Sequence, residues 1–336
     1  MTYLILRLTS IGNVAMMVPL IASLSRRYAD DRFIIVCEKR LEDMFASLPN
    51  VDLITLGKLN SVVAWRTQLR LFFDIRRRYK IDVVIDLQNV WRTRWIRMLF
   101  KMSGACVSKI ENQAAEKRLL TLRGYEQLKP LKTEFERYGE ALQKAGLQID
   151  DTFLSLPCNS QAKKEIEALY GKKTGRRIAI APFAKSATNM LPYGLIKEVI
   201  HYYAKDKRNE VFLFGAGAVE SEMLRQWASV MAGVVSVAGQ LTIAQELELM
   251  RTMDVMICMD SANQHLASLV GLRAVSIWLG THPYAGYYGW KQSKNDILQK
   301  NLSCRPCTIH GKQKCRYRNF LCKDFTLEEI VEKVNI

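Results

Sequence analysis

The chain has 336 residues, of which 49% are hydrophobic and 24% are charged. This length predicts two domains of ordinary size, and the balance of residues is typical of a soluble globular protein. No apolar run approaches the ~20 residues of a membrane-spanning helix, and the opening residues, MTYLILRLTS, lack a basic leader with a cleavage site. We therefore expect a cytoplasmic protein.

The formal net charge of +16 is unusually positive for a pair of domains. Proteins of this kind bind nucleic acids, anionic membrane surfaces or acidic small substrates. The positive residues crowd between Trp65 and Lys144, within the first half. Because no recognised nucleic-acid motif accompanies them, we expect an anionic substrate or membrane surface and no nucleic acid.

Strands and helices alternate along the first half, which indicates a parallel, doubly wound sheet. Pro19 falls in the first helix, where proline is tolerated only near the opening turns. Residues 150–160 are interpreted as the link between two halves. The pattern predicts strands at 3–8, 33–37, 51–56 and 81–87, and helices at 14–28, 41–48, 62–79, 91–102 and 133–145.

The second half repeats this alternation and predicts a second Rossmann-like domain. Near the end of the chain, Thr326 and Glu329 have the spacing of a helix capping box. The pattern predicts strands at 177–181, 210–214, 234–237, 255–259 and 274–278, and helices at 193–204, 219–231, 242–252 and 326–334, with one more that begins at 260–261 and ends at 271.

The most informative stretch is the strand, turn and helix that surround Asp260. The apolar run 255–259 suits a strand buried on both faces, and Asp260 and Ser261 are good N-cap residues for the helix that follows. Ligands of open parallel sheets bind at the carboxyl ends of strands, where the N–H groups of helix N-termini favour phosphate. Asn263 and His265 lie in the first turns of the same helix.

Three segments resemble glycosyltransferase family 9, the heptosyltransferase-like family. They are RLTSIGNVAMMVPL at the start, IAPFAKSATNMLP after the link, and MDSANQHLASLVG together with THPYAGYYGW. The resemblance implies an α/β protein of the GT-B class, with two Rossmann-like domains facing across a cleft. It implies an acceptor-binding domain at 1–158, a nucleotide-sugar-binding domain at 159–323 and a C-terminal helix at 324–336.

The same resemblance implies an inverting, metal-independent glycosyltransferase. Its donor is a nucleotide sugar, usually ADP-heptose, and no cofactor is required. Its acceptor is an anionic glycolipid or oligosaccharide of the lipopolysaccharide core or a related surface glycan. Such an enzyme is cytoplasmic, and it is either free or attached peripherally to the surface of the inner membrane.

Donor-binding positions follow from matching the family's motifs to this chain. Asn189 stands where the family usually has a phosphate-binding lysine, and Lys185 is the only cation nearby in the sequence. Glu220 is equally well explained as a carboxylate at a helix N-terminus. For His265, a core histidine is the alternative to a donor contact. His282 and Tyr284 are further contacts expected near the donor. The donor-binding residues expected from the resemblance are Lys185, Ser186, Thr188, Asn189, Glu220, Asp260, Ser261, Ala262, Asn263 and His265.

The expected catalytic position carries the largest departure from the family. Asn13 stands where the family has an aspartate base, and an amide does not accept a proton at neutral pH. Three explanations stay open: a divergent enzyme with Asp86 as the substitute base, a non-catalytic paralogue that binds sugar nucleotide or glycan, or an engineered Asp-to-Asn change at this position. The residues expected to bind the acceptor are Ser10, Gly12, Arg92, Arg94, Lys117, Arg118 and Lys132.

Two further groups of residues have more than one interpretation. Trp91 and Trp95 share a helix face and belong either to an acceptor or membrane site or to the core. Near the end of the chain four cysteines cluster, and they are either zinc ligands or free thiols, although their spacing is not a usual zinc pattern. These cysteines are Cys304, Cys307, Cys315 and Cys322.

Overall fold

The computed structural model describes residues 1–57, 65–122, 128–311, 315 and 317–335. The chain divides into two compact units. The first consists of Met1–Gln113 and Glu134–Leu156, and the second of Ala114–Thr133 and Pro157–Ile336. The change from one unit to the other at 156–157 falls within the predicted link. Residues 114–133, which precede that link in the sequence, group with the second unit.

The first unit is a five-stranded parallel sheet in the order β3-β2-β1-β4-β5. Its central strand β1 pairs with β2 and β4, so that Leu4 lies opposite Ile34 on one side and Val84 on the other. The strands are β1 (Thr2–Leu6), β2 (Arg32–Glu38), β3 (Val51–Leu56), β4 (Val83–Asp86) and β5 (Cys106–Lys109). The first five helices of the chain are α1 (Ile11–Arg27), α2 (Trp65–Arg78), α3 (Trp91–Met102), α4 (Ala114–Leu122) and α5 (Glu134–Lys144), of which α4 belongs to the second unit.

The apolar strands of this sheet are buried because helices cover both of its faces. Leu4, Ile34 and Val84 are fully buried, and they share a core cluster with Ile96 and Phe100 of α3. This packing explains why the middle strands read as continuous hydrophobic runs in the sequence.

Some elements of the first unit differ from the prediction. The first helix begins at Ile11, earlier than expected, so Pro19 lies in its interior. Proline there removes one backbone hydrogen bond, and the burial of nearly the whole apolar helix offsets that loss. The helix predicted at 41–48 is a 3-10 helix over Lys39–Met44. Residues 62–64 of the predicted helix 62–79 lie outside the described residues.

The second unit is a six-stranded parallel sheet in the order β11-β10-β9-β6-β7-β8. Its strands are β6 (Arg176–Ala181), β7 (Asn209–Leu213), β8 (Val234–Ser236), β9 (Val255–Met259), β10 (Ala274–Trp278) and β11 (Ile297–Gln299). Its remaining helices are α6 (Ser160–Tyr170), α7 (Tyr193–Lys205), α8 (Ala218–Ser229), α9 (Ile243–Arg251), α10 (Ala262–Leu269) and α11 (Leu327–Asn335).

The strand order of the second unit reverses between β6 and β9. Ligands of doubly wound sheets bind at such a reversal, outside the carboxyl ends of the two strands. The loops that follow β6 and β9 carry most of the residues predicted to bind the donor. The fold therefore brings together two motifs that are about 75 residues apart in the sequence.

Helix ends in the second unit follow recognisable capping chemistry. Thr326 and Glu329 exchange backbone-to-side-chain hydrogen bonds of 2.9 and 3.3 Å, which confirms the predicted capping box of α11. The cap of α9 pairs Thr242 with Gln245. Among the described residues, no helix combines the length and apolar character needed to cross a membrane.

Candidate functional site

Asp260 is the first residue after β9 and is held by the neighbouring strand and by its own helix. Its backbone N–H donates to the carbonyl of Ile277 in β10 at 3.0 Å. Its carboxylate accepts hydrogen bonds from the Thr281 hydroxyl at 2.7 Å and from the Gln264 amide at 3.3 Å. Burial raises the pKa of this carboxyl to about 6, and the two hydrogen bonds oppose that rise. A carboxylate so desolvated favours further hydrogen-bond donors around it.

The N-terminus of α10 follows directly. Ser261 is the N-cap residue, and its hydroxyl accepts from the backbone N–H of Asn263 at 3.4 Å. Ala262 is the first helical residue. The N–H groups of the first helical turn have no acceptor within the helix, and the helix dipole makes this end attractive to anions. The predicted residues 260–263 thus form one continuous polar corner at the strand reversal.

His265 lies one turn into α10 and is buried. Burial lowers the pKa of its imidazole to about 4, so the ring is neutral at physiological pH. Its Nδ1 atom has no hydrogen-bond partner within the described part of the chain. Buried ring nitrogens normally have a partner, so the structure disfavours the interpretation of His265 as a satisfied core histidine.

The loop after β6 is tied to residue Gly311 in the cysteine-bearing segment. The hydroxyl groups of Ser186 and Thr188 both donate to the Gly311 carbonyl, the latter at 2.6 Å. Asn189 is buried, and its Oδ1 atom lacks a partner among the described residues, whereas Lys185 is exposed. The two hydroxyls predicted to bind phosphate therefore already serve to hold this loop.

Arg305 anchors the cysteine-bearing segment to the carboxyl end of β10. Its fully buried guanidinium donates to the carbonyls of Trp278 at 2.9 Å and Thr281 at 2.7 Å. The backbone N–H of Cys307 donates to the Gly280 carbonyl at 3.0 Å. Arg305 therefore fixes the backbone of Thr281, the residue whose hydroxyl binds Asp260. Sequence reasoning missed this arginine, because its partners are carbonyls that leave no pattern in the sequence.

The aromatic loop 281–290 adds a buried imidazole, His282, and a more exposed ring, Tyr284, to the same region. His282 accepts the backbone N–H of Tyr284 at its Nδ1 atom, 3.1 Å away, and the two rings lie 4.4 Å apart. Burial first, and the charge of Arg305 second, lower the pKa of His282 to about 4. His282 is therefore neutral at physiological pH and does not supply a positive charge to the site.

Residues of the described stretches 114–122 and 128–133 pack on this loop. The ammonium group of Lys117 in α4 lies 2.7 Å from the Tyr287 hydroxyl and 4.6 Å from the centre of that ring. The carbonyl of Tyr287 accepts from the amide of Gln264, the residue that also binds Asp260. The ammonium group of Lys117 is thus connected to Asp260 through Tyr287 and Gln264. We predicted Lys117, Arg118 and Lys132 to bind the acceptor, and the structure groups all three with the second unit.

Glu220 lies in the first turn of α8, as the sequence predicts. Its carboxylate accepts from the backbone N–H of Ala216 at 3.2 Å, and burial raises its pKa. The contact is that of a carboxylate at a helix N-terminus. Within the described residues, no hydrogen bond or ion pair joins Glu220 to Asp260 or to α10.

In the first unit, Asn13 lies in the opening turn of α1. Its amide donates to the hydroxyl of the N-cap residue Ser10 at 3.2 Å. Its backbone carbonyl accepts from the Tyr138 hydroxyl at 3.3 Å. Ser10 is exposed, and Gly12 and Asn13 are half-buried. This corner presents an amide and a hydroxyl, groups that form hydrogen bonds but do not accept a proton at neutral pH.

Asp86 ends β4 and is fully buried. One carboxylate oxygen accepts the backbone N–H groups of Gln88 and Asn89 at 3.0 and 2.7 Å. The other accepts the Thr93 hydroxyl and the Arg97 guanidinium, both at 2.7 Å. Four donors occupy the acceptor positions of this carboxylate. The geometry therefore suits an anchor for Arg97 and the start of α3 better than a base.

A cationic cavity of 380 Å³ opens beside Asp86, at the carboxyl ends of β4 and β5. Arg97, held by Asp86, also donates to the side chain of Asn89 at 3.0 Å. Arg92 lies outside the lining, with its guanidinium 5.9 Å from the centre of the Trp91 ring. The lining residues are Asn89, Val90, Trp91, Arg94, Arg97 and Lys109. Of these, the sequence assigned Arg94 to acceptor binding and left Trp91 open between an acceptor or membrane site and the core.

The four C-terminal cysteines are free thiols that lie near one another. Burial raises the pKa of Cys322, and the neighbouring thiols of Cys307, Cys315 and Cys304 raise it further. Over the described ranges, no three side chains of the His, Cys, Asp or Glu type are arranged to hold a metal ion.

Comparison with known proteins supplies the context for this geometry. The model of glycosyltransferase family 9 (heptosyltransferase) matches residues 69–318. No curated protein sequence matches the chain.

Solved structures match over nearly the whole chain. A family 9 glycosyltransferase from Veillonella parvula has a TM-score of 0.75 at 15% identity, covering 99% of this chain and 96% of its own. ADP-heptose lps heptosyltransferase II from E. coli has 0.72 at 15%, covering 100% and 98%. The E. coli heptosyltransferase WaaC, solved with ADP, has 0.66 at 17%, covering 92% and 96%. At these identities the match shows a shared fold.

Proposed function

Since the chain belongs to glycosyltransferase family 9, we propose that it transfers heptose from ADP-heptose to an anionic surface-glycan acceptor. The family match covers residues 69–318, and the two parallel α/β units match the GT-B fold of the heptosyltransferases. The chain is therefore a glycosyltransferase, which agrees with the family resemblance of its sequence motifs. The identity of donor, acceptor and reaction course is the part we propose.

The corner formed by residues 260–263 is the observation that carries the donor proposal. It combines a desolvated carboxylate, a helix N-terminus and the strand reversal at which doubly wound sheets bind ligands. The helix end attracts the diphosphate, and the Asp260 carboxylate accepts hydrogen bonds from sugar hydroxyls. WaaC, one of the proteins of similar fold, was solved with ADP, which supports an adenosine diphosphate donor.

The cationic cavity in the first unit supports an anionic acceptor. Arg94, Arg97 and Lys109 line it, and Trp91 offers an apolar ring to a sugar face. Guanidinium groups bind carboxylates and phosphates with two parallel hydrogen bonds. We propose that an acidic group of the acceptor occupies this cavity.

The transfer also needs a base that takes the proton of the acceptor hydroxyl as the new glycosidic bond forms. Asn13 does not supply one, and Asp86 is held by four donors. We infer that this chain relies on binding and orientation for its rate, which favours low turnover. The same two observations favour the second candidate function, a non-catalytic paralogue that binds sugar nucleotide or glycan.

Two measurements on the purified full chain separate these possibilities. Thermal stability with ADP, UDP and GDP tests the donor site, because a ligand that binds only the folded state raises the unfolding temperature. We expect the largest rise with ADP. Release of ADP from ADP-heptose, with and without an acidic glycan acceptor, tests turnover. Binding of ADP without acceptor-dependent release establishes the paralogue, and no response to any nucleotide contradicts a donor site.

A further inference from the structure

Helix α3 has two apolar faces, and only one of them is buried. Ile96 and Phe100 pack into the core of the first unit. The opposite face consists of residues at helical spacings of three and four, so their side chains form one continuous stripe. The stripe consists of Trp91, Trp95, Met98 and Met102, which are 53%, 50%, 40% and 78% exposed.

This exposure decides between the two interpretations that the sequence left open for Trp91 and Trp95. Neither side chain belongs to the core. Single exposed apolar residues are common on proteins, whereas a contiguous row of large ones marks a surface that binds something. Tryptophan is enriched at the interface between a bilayer and water, because its ring is apolar and its N–H group is polar.

The charges beside the stripe indicate the chemistry of the partner. Arg94 and Lys101 are exposed along one edge of it, and α3 has no acidic residue. Helix α2 packs against α3 and contains five arginines and one acidic residue, the exposed Asp74. Arginines and one phenylalanine share a face of α2 by their spacing, and all are exposed; they are Arg66, Arg70, Phe73 and Arg77. An apolar stripe among cations is complementary to a layer of anionic lipid headgroups.

We propose that the exposed face of α3 docks the protein on an anionic lipid bilayer. The Trp95, Met98 and Met102 side chains enter the interfacial layer, while Arg94 and Lys101 contact the headgroups. This inference rests on the proposed function, because Trp91 and Arg94 also line the cationic cavity. An acceptor anchored in the same bilayer reaches that cavity from the docked face.

Vesicle sedimentation with the full chain tests the docking face. The vesicles are pure phosphatidylcholine or phosphatidylcholine mixed with phosphatidylglycerol, with no substrate present. The stripe variant combines Trp95→Ser with Met102→Ser, and neither residue lines the cavity. The matched control combines Leu169→Ser with Val230→Ser, two exposed apolar residues of the second unit.

We expect wild type and control to bind the anionic vesicles and the stripe variant to lose about tenfold or more in partitioning. Lys101→Glu removes the preference for anionic over neutral vesicles. Brominated acyl chains quench the tryptophan fluorescence of the wild type, and Trp95→Phe reduces that quenching.

Equal binding by the wild type and the stripe variant overturns the proposal, and so does an absence of wild-type binding to anionic vesicles. Sedimentation equilibrium tests a second copy of the chain as the occupant. A wild-type dimer that the stripe variant dissociates, with vesicle binding unchanged, contradicts a membrane role. The rise in unfolding temperature with ADP is measured on the same variants, so a failure of docking is distinguishable from a failure of the donor site.

Discussion

Asp86 and Arg97 form a buried ion pair in which a carboxylate oxygen lies 2.7 Å from a guanidinium nitrogen. The carboxylate is fully buried, and the guanidinium reaches the wall of the cationic cavity. The residue that the sequence suggested as a substitute base thus holds a cation toward the cavity. This relationship connects the stability of the first unit with the acceptor site that we propose.

Asp86→Ala leaves Arg97 without its carboxylate, and we expect the free energy of unfolding to fall by about 3–5 kcal/mol. Denaturant titration of the variant measures this loss. Glu222→Ala, which breaks the exposed pair with Arg225, is the control and should change stability little. A variant that keeps wild-type stability but loses transfer would instead identify Asp86 as the base.

Asn13→Asp supplies a carboxylate at the position where the family has its base. We expect kcat for transfer to rise by about 100-fold or more, because a positioned general base contributes at least that much. Asn13→Ser changes the same residue without supplying a carboxylate and should show no gain. Equal rates for both variants would show that the opening turn of α1 does not contact the reacting hydroxyl.

Asp260 should make stability depend on pH between its ordinary pKa of 3.8 and its raised pKa of about 6. In this window the folded state binds more protons than the unfolded state, so the contribution of Asp260 to stability decreases as pH rises. As pH rises through this window, the unfolding free energy of the wild type should therefore fall relative to that of Asp260→Asn. The expected fall is on the order of 2 kcal/mol.

Denaturant titrations at several pH values measure that difference. Glu328→Gln, a change in the first turn of α11, is the control and should leave a constant offset. A constant offset for Asp260→Asn as well would show that its carboxyl has an ordinary pKa.

Lys117→Gln tests whether the cation of α4 replaces the lysine that the family has at position 189. A cation near the diphosphate strengthens its binding through a charge-assisted hydrogen bond, so we expect ADP affinity to fall about tenfold. Calorimetric titration with ADP gives the dissociation constant. The neighbouring Arg118 is exposed, and Arg118→Gln serves as the control. Unchanged affinity for Lys117→Gln restricts its role to the contact with Tyr287.

Gly311→Ala tests the junction between the loop after β6 and the cysteine-bearing segment. Gly311 has φ of +74°, and a Cβ atom there would lie 2.7 Å from the Cβ of Ser186. We expect a loss of about 1–3 kcal/mol in the free energy of unfolding and weaker binding of ADP. Gly194→Ala is the opposite case, because it lies in α7 with open space around it, and should stabilise by about 0.5–1 kcal/mol.

Most of the fold follows from hydrophobic pattern. Strands such as β2 and β9 are continuous apolar runs because they are buried on both faces, and the two-domain class is confirmed. The pattern does not reveal β5 or β11, which are short edge strands with few buried residues. It also does not reveal α6, whose buried residues are only Ala162 and Ile166.

The local structure of the candidate site could be predicted where it depends on residues close together in the sequence. Residues 260–263 were recognisable because N-cap residues follow an apolar run. Arg305 and Thr281 were not, because their roles depend on contacts with segments distant in the sequence. The cavity residues Arg97 and Lys109 were missed for the same reason, since strand pairing brings β4 and β5 together.

Residues 114–133 belong to the second unit but lie between two parts of the first, so the chain cannot be cut at one point into two complete units. The polypeptide passes from one unit to the other three times, at 113–114, at 133–134 and at 156–157. Truncation after Leu156 would separate α4, with its buried Leu120, from the aromatic loop on which its segment packs. Neither half of the sequence therefore contains one complete unit. A chimaera of two homologues would fold only if α4 and the second unit came from the same homologue.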